Sequence, residues 1–336
     1  MDSLFPEENK TKKIYVNELQ VGKDVQSLFV ITRIALREYD KGQLLNLRLG
    51  DKTGKVSAVL WGGAEEAYKR LREGDLVSVA GKVNSYQNDT QITVRSIQAV
   101  PAPEDLDPAD FLPASLKPLE EMAAEFDGML ETMKDEDYRA LLLAFRQDES
   151  LWQEFSRAPG AKMWHHPYLH GLLEHTLSVM RLCRAIAPNY PRVAEDLLLA
   201  GAVFHDAGKM REFVYHYRID YSTDGRLLGH IYMGTALAEN LMDRLPDFPP
   251  EKRRRLLHVI LSHHGEVERS PILPMTLEAN LLHHIENMDA QMAAYEREMD
   301  KAESGAKEWT GYVNLIQRYL YLGENHSPSQ NDRDED

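Results

Sequence analysis

Leu197-Leu198-Leu199-Ala200-Gly201-Ala202-Val203-Phe204-His205-Asp206-Ala207-Gly208-Lys209 is an apolar run that stops on a His-Asp pair just ahead of a glycine. It predicts a helix, Val193–Asp206, that closes on His205 and Asp206 before Gly208. The apolar part, Leu197 to Phe204, is far too short to cross a bilayer. Neighbours on a helix point about 100° apart, so His205 and Asp206 can serve one centre only from the helix's end or edge. Imidazole and carboxylate are the side chains that hold transition metals while leaving positions open for water and substrate.

Further groups of the same two kinds flank this pair. His175 lies in a predicted helix Leu172–Ala187 that ends before Pro188, and His230 opens another after Gly229. His263 and His264 close Lys252–His264, with Gly265 at the cap. Glu286 and Asp289, three apart in Leu277–Met299, share a helix face. A lone histidine in a helical protein is usually a surface or hydrogen-bonded residue. Histidines that recur at helix termini and beside carboxylates predict a metal-dependent hydrolase instead, with His175, His205, Asp206, His230, His263, Glu286 and Asp289 as candidate ligands. His165, His166, His170, His283 and His284 are read as ordinary packing or hydrogen-bonded residues, and His216 and His258 as surface. This mixed nitrogen and oxygen set suits manganese, iron, nickel or zinc better than calcium, as one ion or two. An ion there acidifies its water toward neutrality and steadies the leaving oxygen of a phosphate. Lys209 is the candidate for offsetting phosphate charge, against the plainer reading of a solvated helix-end lysine. His230 or His264 can contact phosphate or protonate the leaving group.

The N-terminal part has a different pattern. Val25–Ala35, Leu44–Leu49, Val56–Leu60, Leu76–Val83 and Gln91–Ile97 read as strands separated by turn signals, with a helix Ala64–Leu71 between the third and fourth. Five strands with a helix in that slot is the plan of an OB-fold barrel, which serves as a nucleic-acid binder or a plain interaction module. Residues 101–115, with four prolines, read as a linker, and Leu119–Phe145 carries helical periodicity with Met122, Phe126, Met129, Leu130 and Met133 on one face. From about 160 to 320 the chain reads as nearly all helix, and the end, 323–336, as a disordered acidic tail. The fold class expected is therefore multidomain, an all-β OB-fold barrel followed by an all-α helical bundle. The expected divisions are an extension 1–13, the barrel 14–100, a linker with connecting helices 101–158, the metal domain 159–322 and the tail.

Charge follows the same division. Residues 1–100 hold 15 Lys and Arg against 13 Asp and Glu, whereas the remaining 236 hold 24 against 41. Phosphate binding is easier for the first part, although bound divalent cations reverse the local field in the second. One cysteine, Cys183, excludes an internal disulfide and fits a reducing compartment. The start Met1-Asp2-Ser3-Leu4 lacks the basic stretch of a signal peptide, so a cytoplasmic protein with no membrane partner is expected. An oligomer is compatible with the sequence.

The constellation resembles the HD superfamily of metal-dependent phosphohydrolases. More narrowly, the chain is similar to the YhaM family of 3′–5′ exoribonucleases over nearly its full length. The matching stretches are Gly171 to Val179, His205 to Lys209, Gly225 to His230, Leu261 to Gly265 and the Asp289-Ala290 region. The resemblance implies stepwise hydrolysis of single-stranded RNA from the 3′ end with a divalent metal, usually manganese, iron, nickel, zinc or magnesium being the other candidates. Single-stranded DNA is the alternative substrate. In the superfamily the last ligand is an aspartate. That position aligns here with Glu286, expected to reach the ion through its longer arm, with Asp289 as the alternative. Candidate strand contacts are Arg33, Arg37, Tyr39, Arg48, Trp61 and Tyr86 on the barrel, although Trp61 is more often core in such barrels. Phe213, Tyr215, Tyr217 and Tyr221 recur at even spacing, as on one face of a strand, and Tyr215 and Tyr217 are candidate base-stacking residues. The rival reading is a hairpin that packs these aromatics on the helices. Two competing functions are a phosphodiesterase or nucleotidase for small or cyclic nucleotides, and a non-catalytic binding protein.

Overall fold

The computed structural model describes residues 14–40, 42–87, 89–101, 106–302, 308–314 and 316–323. The expectations for residues 1–13 and for the acidic tail from 324 onward lie outside them. Two compact units divide the chain, one of Met1–Ala114 with Val214–Asp220 and one of Ser115–Phe213 with Tyr221–Asp336.

Alternating apolar residues close the first unit into a barrel. Its strands are β1 (Asp24–Tyr39), β2 (Gly42–Asp51), β3 (Gly54–Leu60), β4 (Leu76–Tyr86) and β5 (Asp89–Ala99), and α1 (Ala64–Arg70) lies between β3 and β4. Their order around the barrel is β1-β2-β3-β5-β4, and β3 and β5 run parallel. Inward-facing Phe29, Ile31, Leu45, Leu49, Val77 and Ile92 are fully buried and fill the core. The strands outrun the apolar alternation: ladder pairs Arg37 with Leu44, Glu38 with Gln43 and Tyr39 with Gly42 carry the β1–β2 hairpin into polar sequence.

In the second unit the expected helical stretch Leu119–Phe145 is two helices, α2 (Leu119–Glu131) and α3 (Glu136–Gln147), followed by α4 (Glu149–Arg157). The Asp135 carboxylate ends the continuity by accepting from the backbone N–H groups of Asp137 (3.1 Å) and Tyr138 (3.2 Å), a cap that starts α3. Next come α5 (Gly171–Ile186), α6 (Glu195–Phe204), the single turn α7 (Lys209–Glu212), α8 (Thr223–Asp243), α9 (Pro250–Ser262) and α10 (Leu277–Asp300). Every side chain of α6 from Leu197 to Phe204 is buried, and the helix packs against α3, α5, α8, α9 and α10. An all-apolar helix belongs at the centre of such a bundle. α8 is broken at Gly229 (φ 75°, ψ 159°), a left-handed conformation that suits glycine, so His230 does begin a new helical stretch.

The expectation of near-continuous helix from 160 to 320 is not met. Residues 158–170 are irregular, and a hairpin of β6 (Phe213–Tyr215) and β7 (Ile219–Tyr221) interrupts the helices. That hairpin turns at residues 216–218, so the four aromatics do not share one strand face. Among the described residues no helix is long and apolar enough to cross a membrane.

Candidate metal centre and nucleic-acid face

The end of α6 sets the centre. His205 is its C-terminal cap residue, and Asp206 lies in the turn that follows. That turn lies against the start of the second half of α8, because a Cβ on Gly208 would collide with the His230 carbonyl and lie 2.7 Å from the Gly234 nitrogen. Only glycine allows His230 so near Asp206. α5 brings His175, the end of α9 brings His263 and His264, and α10 brings Glu286 and Asp289.

Four imidazoles converge on one carboxylate. The Nε2 atoms of His175 and His205 lie 3.5 and 3.4 Å from Asp206 Oδ2, and those of His230 and His263 lie 3.5 and 3.9 Å from Oδ1. Each ring holds its other nitrogen against a group that can only accept. His175 Nδ1 meets Asp289 Oδ2 at 2.7 Å, His205 Nδ1 the Ala202 carbonyl at 2.8 Å, and His263 Nδ1 the Ile260 carbonyl at 2.7 Å. His230 Nδ1 meets Glu212 Oε1 at 3.1 Å. The protons therefore sit on Nδ1, and four Nε2 lone pairs face an anion. Lone pairs facing one another, such as Nε2 of His175 and His205 at 3.2 Å, repel unless something positive lies between them. Among the described residues Asp206 Oδ1 and His263 Nε2, both buried, have no hydrogen-bond partner. Metal–ligand bonds of about 2.0–2.2 Å give ligand–ligand edges of roughly 3.0–3.6 Å, close to the spacing here. The cluster fits a divalent cation.

The electrostatics agree for His175 and His263 and differ for His205. Burial pushes the His175 imidazole down to about 4 and His263 well below its ordinary value, so both are neutral at neutral pH. His264, which faces His230 Nε2 at 3.3 Å, is also pushed down by burial to about 4. Burial opposes a charge on His205, but the adjacent Asp206 carboxylate outweighs it and raises the imidazole. Burial likewise works against the Asp206 anion, yet Lys209 and His205 hold it well below the usual carboxylate range. Lys209 is not the solvated lysine of the plainer reading: it is 7% exposed and donates to Asp206 Oδ2 at 2.6 Å.

The two carboxylates of α10 have different surroundings. Asp289 takes hydrogen bonds from His175 Nδ1 and the Ser178 hydroxyl, with His166 Nε2 at 3.6 Å. These partners overcome burial and hold it far below the carboxylate range. Its His175 contact is on the ring nitrogen turned away from Asp206. Glu286 is raised by burial and then by the Asp206 charge, with His205 and Lys209 also acting on it.

Several participants were not singled out from sequence. Glu212, buried at 7% exposure, orients His230 through Nδ1 and also accepts from its backbone N–H at 3.0 Å. His165 and His166 lie within the site and not in plain packing: His165 stands beside His175, with ring centres 4.9 Å apart, and His166 stands beside Asp289. His170 donates to the Ser156 carbonyl, and His283 Nδ1 to the His263 carbonyl at 3.0 Å. His258 is half-buried and accepts from Met275 N, which corrects its surface assignment, whereas His216 is exposed as expected. An apolar cavity of about 710 Å³ beside Tyr190, Leu281 and Met288 contains none of the four imidazoles that converge on Asp206, so it offers no comparable chemistry.

On the barrel unit a cavity of about 520 Å³ is lined by Arg33, Arg37, Arg48, Trp61 and Tyr86 among others. Tyr39 meets Trp61 edge-on at 5.1 Å. Trp61 is 49% exposed, not core, because it follows β3 and lies outside the barrel's inward alternation. Tyr215 and Tyr217 do not line this cavity. Tyr217 packs against Leu28, Val30, Leu76 and Phe111, and the buried Phe213 meets Tyr221 at 5.3 Å.

Comparison with known proteins follows the same lines. An HD domain model matches residues 172–291, and an OB-fold nucleic acid binding domain model matches residues 30–100. The 3′-5′ exoribonuclease YhaM of Bacillus subtilis (strain 168) is 32% identical over 301 residues, 89% of this chain and 94% of that protein. The YhaM of Bacillus velezensis is 31% identical over 300 residues, again 89% and 94%. That of Geobacillus sp. (strain WCH70) is 30% identical over 288 residues, 85% and 88%. With its barrel, its helical metal centre and this extent of identity, the chain belongs to the YhaM family of 3′-5′ exoribonucleases.

Proposed function

We propose that this exoribonuclease removes nucleotides one at a time from the 3′ end of single-stranded RNA, with the reaction at Asp206. The observation that carries this reading is the set of four Nε2 lone pairs turned on that carboxylate. His175, His205 and Asp206 would hold a divalent cation, manganese foremost, with Glu286 as the last ligand. His263 and His230, on the Oδ1 side, with His264 beside them, would take a second ion or meet the phosphate directly. A bound cation supplies a water acidified toward neutrality and relief of charge on the phosphate oxygens.

The chain's own groups do the rest. Asp289, Glu212 and the Ala202 and Ile260 carbonyls keep the ring protons on Nδ1, so that Nε2 stays a lone pair. The Lys209 ammonium, already inside the centre, offsets charge developing on the phosphate. On the barrel, Arg33, Arg37 and Arg48 would meet phosphates, and Tyr39, Trp61 and Tyr86 would stack on bases; five of the six line one cavity, and Tyr39 packs on Trp61. Single-stranded DNA shares those contacts, and recognition of the 2′-hydroxyl decides between the two. The buried Cys183 thiol fits work in a reducing cytoplasm.

The test is a time course with 5′-labelled single-stranded RNA. Wild-type protein with Mn²⁺ is expected to give a ladder shortening from the 3′ end, and EDTA or Asp206→Asn to leave the RNA intact. A ladder of equal rate from Asp206→Asn would overturn the assignment.

A further inference from the structure

The irregular segment between α4 and α5 contains Trp164-His165-His166-Pro167-Tyr168-Leu169-His170. Two of these residues, His166 (φ 48°) and His170 (φ 67°), adopt the left-handed conformation that L side chains disfavour. Such strain persists only where the surroundings over-determine it. Here the Gly160 N–H donates to the His166 carbonyl (2.9 Å), the His170 N–H to the Arg157 carbonyl (3.2 Å) and the Leu172 N–H to the Ala158 carbonyl (3.0 Å). His170 Nδ1 adds a bond to the Ser156 carbonyl at 2.7 Å. A Cβ on Gly160 would lie 2.9 Å from that of His166, so the loop is closed against its own base.

The result is that His165 is carried inward. It is 6% exposed, and neither of its ring nitrogens has a hydrogen-bond partner among the described residues. A neutral imidazole has one N–H and one lone pair, and each buried polar atom left bare costs on the order of 1–3 kcal/mol. Among the described residues no other histidine leaves both nitrogens buried and without a hydrogen-bond partner. His165, His175 and Asp206 each present a ligand atom, and these atoms lie within 4.8 Å of one another.

We infer that His165 is a further ligand of the cation held by His175 and Asp206, delivered by the strained loop and not by a bundle helix. The inference rests on the metal centre proposed above. The His165 lone pair goes to the ion, and its N–H is left for an anionic oxygen.

The experiment uses full-length protein stripped of metal, titrated with Co²⁺ by calorimetry and visible absorption, with the melting temperature of the stripped form measured alongside. His165→Leu keeps a side chain of similar bulk and removes both bare nitrogens. The expected result is Co²⁺ binding at least tenfold weaker with an altered visible band, while the stripped protein melts no lower than wild type. Co²⁺ affinity reduced by less than tenfold overturns the inference, and a lower melting temperature alongside it would mark His165 as a packing residue. If the leucine variant does not fold, His165→Gln is read by the same titration with the same threshold. Absence of Co²⁺ uptake by wild type overturns the metal centre itself, an outcome separate from a wild-type centre that tolerates the loss of His165.

Discussion

Asp289→Asn alters one atom of a side chain whose two oxygens both accept hydrogen bonds, Oδ2 from His175 Nδ1 at 2.7 Å and Oδ1 from the Ser178 hydroxyl. Asparagine has one acceptor to offer. If its carbonyl faces His175, the bond survives without its charge. If its NH₂ faces His175, the imidazole proton must move to Nε2, the atom turned on Asp206 at 3.5 Å, where a lone pair is required. A hydrogen bond to a charged group is worth about 1.5–3 kcal/mol, which converts to metal binding weakened by roughly 10- to 150-fold. That range overlaps the losses typical of groups that orient a ligand from behind. The assay is Mn²⁺ titration of the stripped enzyme, with Glu286→Gln in parallel. On the proposed ligand set Glu286→Gln should lose more, because it would remove a ligand and not the support of one. Affinity within twofold of wild type for Asp289→Asn would refute the tautomer argument. A loss as complete as that of His175→Ala would place Asp289 itself among the ligands.

Trp61→Ala should weaken binding of long single-stranded RNA by about 5- to 150-fold, from roughly 1–3 kcal/mol of stacking, with dinucleotide hydrolysis unchanged; anisotropy and product assays check this. Gly208→Ala should destabilise the protein by about 1–3 kcal/mol and reduce bound Mn²⁺, read by calorimetry and metal analysis, because its Cβ has no room against the His230 backbone. Asp135→Ala should cost about 0.5–2 kcal/mol through loss of the α3 cap, and it also removes a partner of Lys252 at 2.6 Å. Burial opposes the Asp135 charge, but Lys252 and the Tyr138 N–H hold its carboxyl below the usual value. A depressed carboxyl stabilises above its unfolded pKa of about 4 and loses that contribution as pH falls through the folded value, so the melting-temperature gap between wild type and Asp135→Ala should be full at pH 7 and shrink below about pH 4.

Period-two alternation and turn residues placed all five barrel strands, since inward residues such as Val77, Val79 and Ile92 are fully buried. Where pairing alone extends a strand, as at Glu38 and Tyr39, no apolar signal exists to read. The break between α2 and α3 is held by the Asp135 cap, supported by a lysine more than a hundred residues away, and by Asp196, which accepts from the Lys134 and Asp135 N–H groups. The metal cluster was legible because His205, His263 and His230 fall at helix ends. His165 was not, because nothing periodic marks a loop whose shape is set by contacts to Gly160, Arg157 and Ala158. Glu212 was hidden for a different reason. It stands beside the aromatic residues of β6, and only the fold sets it against His230. Their shared helix face did not separate Glu286 from Asp289; what does is that Asp289 backs the His175 ring through Nδ1, whereas Glu286 lies in the field of Asp206 and His205.

On the proposed reading the Asp206 cluster holds the cation on which 3′-end trimming depends. The most direct measurement adds Mn²⁺ stepwise to stripped enzyme, recording bound metal and the rate of nucleotide release from the same samples. A rate that rises in proportion to occupancy and vanishes with it is expected in wild type but not in Asp206→Asn. Full-rate trimming by protein with no bound metal would contradict it.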